Sequence, residues 1–444
     1  MKIAMIAPPW LSIPPHGYGG IEVVLDALVP ALAALGAEVH LYTVGRTWPQ
    51  PPPGVRVHVL DDREQYSAIS GTLYDTMSVP AAHVTRALGR IAGRGFDVIH
   101  DHNAFIGPAA CANLDPGRFP PALHTLHGPF TDHADIRRGL PDNRDSFRAF
   151  ERSERVWFNG ISRSQVRDVP AQLRARLLGV VHNGLAPNAM PAPAHGSPDQ
   201  HERGERDGYF LTLARVCEAK GQGLAARICS DLGERLVIAG AVDGVGDPAT
   251  VLRDATSMSG GAARHADLDY FARQVAPYLR DGSIEYVGDQ AGAQKLQLLV
   301  NARALLFPID WEEPFGMAVV EALAAGTPVV AMRRGAMPEL IEHGVTGFLA
   351  DTPEEFAQYV RRVDALDRAR CRASVERRFS AHAMASGYLQ LYEQAIARDV
   401  EQRHGGRRMT RRATLTSSRL DDLHRTIRHG DLPRRVEHLD PANA

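Results

Sequence analysis

Short apolar runs, each followed by a turn and then by a longer stretch with helical spacing, recur along most of this chain. The first, KIAMIAP (Lys2 to Pro8), ends in a Pro- and Gly-rich loop; apolar residues then follow helix spacing from Ile21 to Leu35 and stop at Gly36. This is a strand, a loop and a helix. VHLYTV (Val39 to Val44), VRVHVL (Val55 to Leu60), DVIH (Asp97 to His100), ALHTL (Ala122 to Leu126) and VWFNGIS (Val156 to Ser162) repeat the short run between helix-capable segments. Such alternation predicts an α/β protein with a mainly parallel, doubly wound sheet.

The pattern breaks at PNAMPAPAHGSPDQHERGERDG (Pro187 to Gly208), which reads as a linker or exposed insertion. It restarts with YFLTLAR (Tyr209 to Arg215), RLVIAG (Arg235 to Gly240), SIEYVG (Ser283 to Gly288), ARALLFP (Ala302 to Pro308) and PVVAM (Pro328 to Met332). Two domains are therefore expected, 1-186 and 209-380, joined by 187-208; 444 residues exceed the roughly 250 to 300 at which a single core stops growing. Asp243 to Ala263 is Gly-rich and weakly patterned and reads as a long loop before a helix near Asp267 to Leu279. The last stretch, 400-444, is an Arg-rich tail whose composition predicts disorder over most of its length and allows peripheral contact with an anionic membrane surface.

Composition narrows the field. A formal net charge of -2 gives no field for collecting nucleic acid, so no nucleic-acid partner is expected. The four cysteines are scattered without metal-finger spacing, no set of His, Cys and acidic residues has metal-ligand spacing, and no apolar stretch reaches the length of a membrane span. A cytoplasmic protein with reduced thiols is the expectation. The chain has three lysines, Lys2, Lys220 and Lys295, against 47 arginines, so each internal lysine stands out from the background.

The densest chemistry lies in EEPFGMAVVEALAAGTPVV (Glu312 to Val330). Met317 to Ala325 is a good helix sequence, Gly326 suits the position just past its end, and Pro328 prevents continuation. The helix is apolar nearly all round except for Glu321, so that carboxylate must be paired, hydrogen-bonded or placed to receive a ligand's hydroxyls. Glu313 precedes the helix, in a loop at the carboxyl end of a strand, where ligands of open α/β sheets bind. The backbone N–H groups of Phe315, Gly316 and Met317 would face the same crevice and suit an anion or a sugar oxygen. In LARVCEAKGQG, Arg215 ends a strand and Lys220 follows five residues later; two cations there can neutralise a diphosphate, or can simply be surface residues. In HGYGGIE, Gly19 and Gly20 allow close approach of backbone to a phosphate or form a plain tight turn, and Glu22 is either a partner of the helix dipole or a pocket residue. His127 in HTLHGPF and, less strongly, His102 in IHDHN lie at strand ends.

Taken in order, HGYGGIE, LARVCEAKG and EPFGMAVVEALAAGTPVVAMRRGAMPELIEHGVTGFLA resemble the retaining GT-B fold glycosyltransferases of family 4 (glycosyltransferase group 1), over about 380 residues that leave out the linker, Asp243 to Ala263 and the tail. The resemblance implies two Rossmann-like domains facing across a cleft, with a C-terminal helix over 381-399 returning to the first. It implies a nucleotide-sugar donor, UDP-sugar favoured and GDP-sugar possible, a hydroxyl acceptor, no required cofactor and no metal, with a place in carbohydrate biosynthesis. Carried over by residue, His127, Arg215, Lys220 and Glu313 form the catalytic set. Glu321 is expected on the donor ribose, Glu313 on hydroxyls of the transferred sugar, Arg215 and Lys220 on the diphosphate, and Gly19 and Gly20 on the donor phosphates. Phe315, Gly316 and Met317 join them in donor binding, and Gly288, in VGDQAG, belongs to a loop that meets the nucleobase mainly through backbone groups. VHNGL departs from the family in carrying Ala186 where an Asp often follows. A GT-B phosphorylase, a nucleotide-sugar epimerase and a non-catalytic sugar- or nucleotide-binding module share the architecture and are the alternative readings.

Overall fold

The computed structural model describes residues 1–16, 19–66, 73–129, 143–186, 189, 208–257, 266–280 and 282–405. Nearly all of the linker and the tail from residue 406 lie outside the described residues. The chain divides into two compact units, the first built from Met1–Pro15, Gly19–Gly184 and the helix that begins at Ala381, the second from Leu185–Ser380.

The first unit holds a seven-stranded sheet. Its strands are β1 (Lys2–Ile6), β2 (Glu38–Val44), β3 (Val55–Asp61), β4 (Val98–Asp101), β5 (Ala122–Thr125), β6 (Val156–Gly160) and β7 (Leu177–Val180). They lie in the order β3-β2-β1-β4-β5-β6-β7, and the pairings are parallel. Helix α1 (Gly20–Ala34) follows β1 and buries Val24, Leu25, Leu28, Val29 and Leu32. β1, β4, β5 and β6 are buried almost throughout, which is why their sequences read as continuous apolar runs and do not alternate.

The second unit repeats the plan with six parallel strands: β8 (Phe210–Leu213), β9 (Leu236–Ala239), β10 (Ile284–Gly288), β11 (Ala304–Phe307), β12 (Val329–Met332) and β13 (Gly347–Ala350). Their order, β10-β9-β8-β11-β12-β13, reverses direction between β8 and β11, as the first sheet does between β1 and β4. In open α/β sheets such a reversal opens a crevice at the carboxyl ends of the strands. Its helices include α2 (Gln222–Leu232), α3 (Pro248–Ser257), α4 (Gly292–Asn301) and α5 (Met317–Ala324).

Three details differ from the sequence reading, the first being that β7 and β13, each at the edge of its sheet, were not among the expected strands. Asp243 to Ala263 is not a plain loop, because α3 occupies its middle. Asp247 Oδ2 accepts from the backbone N (2.9 Å) and the hydroxyl (2.6 Å) of Thr250, and Pro248 opens the helix, a capping arrangement that the neighbouring glycines obscure in the sequence. The last helix, α6 (Ala381–Gly405), does not end near Asp399 but runs to Gly405. It buries Tyr388 and Tyr392 against the first sheet and accepts an ion pair from Arg155 on Asp399.

Candidate active site

The second unit gathers charged groups on the loops that follow β8 and β11, the two strands flanking its reversal point. After β8 the chain passes Arg215 and forms one 3-10 turn, Glu218–Lys220, before α2 begins. Gly221 sits between them in the left-handed region (φ 72°), and a Cβ added there would lie 2.0 Å from the carbonyl oxygen of Pro308. Only a residue without a side chain lets this turn press onto the β11 loop. A bond of 3.0 Å from the Asp310 N–H to the Ala219 carbonyl ties the same two loops. Buried Gln222 donates its amide to the Arg215 carbonyl (2.9 Å) and so holds the strand end against the start of α2.

This packing brings Lys220 onto Glu313. The Lys220 ammonium donates to Glu313 Oε2, which also accepts from the indole Nε1 of Trp311 at 3.0 Å. The ammonium stands 4.7 Å from the centre of the Trp311 ring and 5.7 Å from that of Phe307. Both donors meet one carboxylate oxygen, Oε2. Arg215, with its side chain more than half exposed, pairs with Asp267 at 3.1 Å. Glu312 is exposed, yet its Oε2 accepts the Gly335 N–H at 2.8 Å, so it closes the loop under Glu313.

Gly316 immediately precedes helix α5, and its φ of 101° is open to glycine and strained for other residues. The N–H groups of Gly316 and Met317 lie at the helix start, where no earlier turn supplies their carbonyls, and Phe315 is buried behind them. Glu321 is half-buried one turn further on, where Lys295 from the first turn of α4 bonds its Oε1 at 2.8 Å. The greasy helix thus keeps its single carboxylate by pairing it with a cation, and the partner is a lysine. Gly288 ends β10 packed against Gly246: Asp289 donates to the Gly246 carbonyl at 2.9 Å, so close packing accounts for a glycine there.

In the first unit, β4 and β5 deliver a cluster of histidines. His102 Nδ1 and His127 Nε2 are 2.9 Å apart, and the His102 ring lies 4.1 Å from that of His100. A hydrogen-bond chain fixes His100: Thr125 Oγ1 donates to Asn159 Oδ1 (2.9 Å), so it accepts from His100 Nε2 (2.7 Å), which leaves His100 Nδ1 to accept from the Tyr392 hydroxyl (2.6 Å). Beside it His124 Nδ1 bonds Asp101 Oδ2 at 2.6 Å. Burial, reinforced by His124, pushes His127 down to about 3, and burial drives His100 and His102 well below the ordinary histidine range. These three imidazoles are neutral at physiological pH.

Gly19 and Gly20 lie between β1 and α1. Gly19 is extended, and a Cβ there would come within 3.0 Å of Pro15 and 3.2 Å of Glu22, whereas Gly20 faces open space. Glu22 is buried and its carboxyl is raised to about 7, first by burial and further by the charge of Glu64. The sequence reading left Glu22 unassigned and missed Trp311, Lys295, Asp267 and Gln222. Lysine scarcity was the one signal that pointed to Lys295. Among the described residues no three His, Cys, Asp or Glu side chains converge so as to hold a metal ion, and no helix is long and apolar enough to cross a membrane.

Two family models match the chain: "Glycosyltransferase Family 4" over residues 18–187 and "Glycosyl transferases group 1" over residues 197–377. Among curated proteins, the D-inositol 3-phosphate glycosyltransferase of Arthrobacter sp. (strain FB24) is 26% identical over 399 residues, covering 83% of this chain and 87% of that protein. Among solved structures, AviGT4, a glycosyltransferase involved in avilamycin A biosynthesis, aligns with a TM-score of 0.58 at 22% identity, over 89% of this chain and 98% of its own. HepE of Anabaena, solved in complex with UDP-glucose, aligns with a TM-score of 0.57 at 16% identity, over 89% of this chain and all of its own. At these identities the structural likeness speaks for a common fold, GT-B.

Proposed function

This chain belongs to glycosyltransferase family 4 and uses a nucleotide-sugar donor, and from that premise we propose that it is a retaining hexosyltransferase that takes its sugar from a UDP-sugar and delivers it to a hydroxyl acceptor. The observation that carries this reading is the cluster of Lys220, Glu313 and Trp311 beside Arg215 on the two loops at the reversal point of the second sheet. Arg215 and Lys220 supply the positive charge that a departing diphosphate needs, and both already sit on counter-ions that the donor would replace. Among the described residues, Glu313 takes the Lys220 and Trp311 bonds on Oε2 and none on Oε1, which is the acceptor for a sugar hydroxyl. His127, held neutral by burial, serves as a hydrogen-bonding group to the sugar and not as a store for a proton.

In the reaction, the bond from the sugar's anomeric carbon to the diphosphate breaks and a bond to the acceptor oxygen forms on the same face. The acceptor's proton passes to the leaving diphosphate, which the two cations stabilise as charge develops. UDP is favoured over GDP because a relative of the same fold, HepE, holds UDP-glucose. The test is thermal denaturation with UDP, GDP and ADP. UDP should raise the melting temperature with concentration, since a ligand of the native state alone stabilises it, and Lys220→Met should remove most of that rise. A protein that none of the three stabilises would refute the reading.

A further inference from the structure

The two internal lysines of an arginine-dominated chain both pair with the two glutamates of its E-P-F-G-x4-E segment, Lys220 with Glu313 and Lys295 with Glu321. The choice of lysine has a geometric consequence at Glu321. A guanidinium presents a planar fork that engages both oxygens of a carboxylate, whereas an ammonium is a point donor that holds one. Lys295 bonds Oε1 alone, and Oε2 has no hydrogen-bond partner among the described residues. The ammonium in turn spends one of its three N–H groups on Glu321 and has no other acceptor there. Both side chains retain access to solvent, 30% for Lys295 and 14% for Glu321, so the pair is reachable by a ligand and is not sealed in the core. Lys295 also stands in the first turn of α4, the helix that opens at Gly292, after the short loop that follows β10.

A bare carboxylate would accept both hydroxyls of a vicinal diol at once. Here one of its oxygens is already occupied. We propose that Lys295 is a specificity-determining residue for the donor's ribose: Glu321 Oε2 accepts one ribose hydroxyl while the Lys295 ammonium donates to the neighbouring ribose oxygen. The diol is then read by one acceptor and one donor, which distinguishes its two positions from each other. An arginine at 295 would close this site by taking both carboxylate oxygens. The inference rests on the nucleotide-sugar reading above and goes beyond it in naming what is read and by which pair.

Calorimetric titration of the full chain with UDP, 2′-deoxy-UDP and 3′-deoxy-UDP tests it. The wild type should bind UDP roughly tenfold more tightly than either deoxy analogue, the worth of one charge-assisted hydrogen bond. Lys295→Met should lose roughly tenfold in UDP affinity and cease to discriminate against one analogue while still discriminating against the other; Glu321→Gln should show the converse preference. Lys295→Arg should fail to restore UDP affinity although it keeps the charge. Equal weakening of all three ligands by Lys295→Met, or full rescue by Lys295→Arg, would overturn the ribose assignment; if Glu321→Gln still weakens UDP, the nucleotide-sugar reading survives. Absence of binding to UDP, GDP and ADP alike would overturn both.

Discussion

Glu22 offers a prediction whose size follows from its surroundings. The carboxyl lies in the first turn of α1, buried, with Glu64 adding unfavourable charge, and its pKa stands at about 7 against an ordinary 4.5. Between those two values the folded protein holds a proton that the unfolded chain has released, so the unfolded state binds fewer protons and stability falls as pH rises. Between pH 5 and pH 8 this amounts to about 2 to 3 kcal/mol, most of what the separation of the two values allows at 1.36 kcal/mol per pH unit. Glu22→Gln keeps the volume and hydrogen-bonding capacity of the protonated acid and cannot ionise. The variant should therefore differ little from wild type at pH 5 and be more stable by about 2 to 3 kcal/mol at pH 8. His58 and His83, both lowered to about 4 chiefly by burial, tilt the pH dependence the other way between about 4 and 6.5, but they are common to both proteins and cancel in the difference. Urea unfolding followed by tryptophan fluorescence is suited to the measurement. Trp10, Trp48 and Trp157 lie in the first unit, and Trp311→Phe silences the second. A gap between wild type and Glu22→Gln that is the same at pH 5 and pH 8 would refute the reasoning.

Two further predictions concern the candidate site. Histidine-selective nitrogen NMR should find the His127 ring neutral from pH 8 down to pH 5, since its midpoint lies at about 3; a midpoint near 6.5 would contradict its burial beside His102 and His124. Gly221→Ala places a methyl group 2.0 Å from the Pro308 carbonyl at a φ of 72°, which should cost about 1 to 3 kcal/mol and displace Lys220. UDP affinity unchanged in that variant would show that the Gly221 contact does not position the lysine.

How far the sequence carried depends on the range of the force at issue. Eleven of the thirteen strands were legible, most of them because they are buried and so written as compact apolar runs, from KIAMI at Lys2–Ile6 to VVAM at Val329–Met332. The other two, β7 (Leu177–Val180) and β13 (Gly347–Ala350), were not, being four-residue edge strands that each contain a glycine. Helix α5 was legible through Gly326 and Pro328, which act locally. Helix α3 was not: its cap is a side chain bonding three residues ahead, Asp247 to Thr250, and the glycines at 244 and 246 outweigh it in a reading by composition. Glu321 was marked as a carboxylate in need of a partner. Which partner it takes was hidden, because Lys295 lies 26 residues away on another helix.

The sequence alone determined the two α/β units and the strand-end loops that carry the charges, because periodicity, capping and composition are local properties. Only the tertiary structure decided which charges meet. Strand order places the loops after β8 and β11 side by side although 90 residues of chain separate Lys220 from Asp310. That adjacency joins Lys220 to Glu313 and Trp311, and the packing of α4 on α5 pairs Lys295 with one oxygen of Glu321 and leaves the other without a partner among the described residues. An ion pair is formed through space, and no spacing along the chain records it.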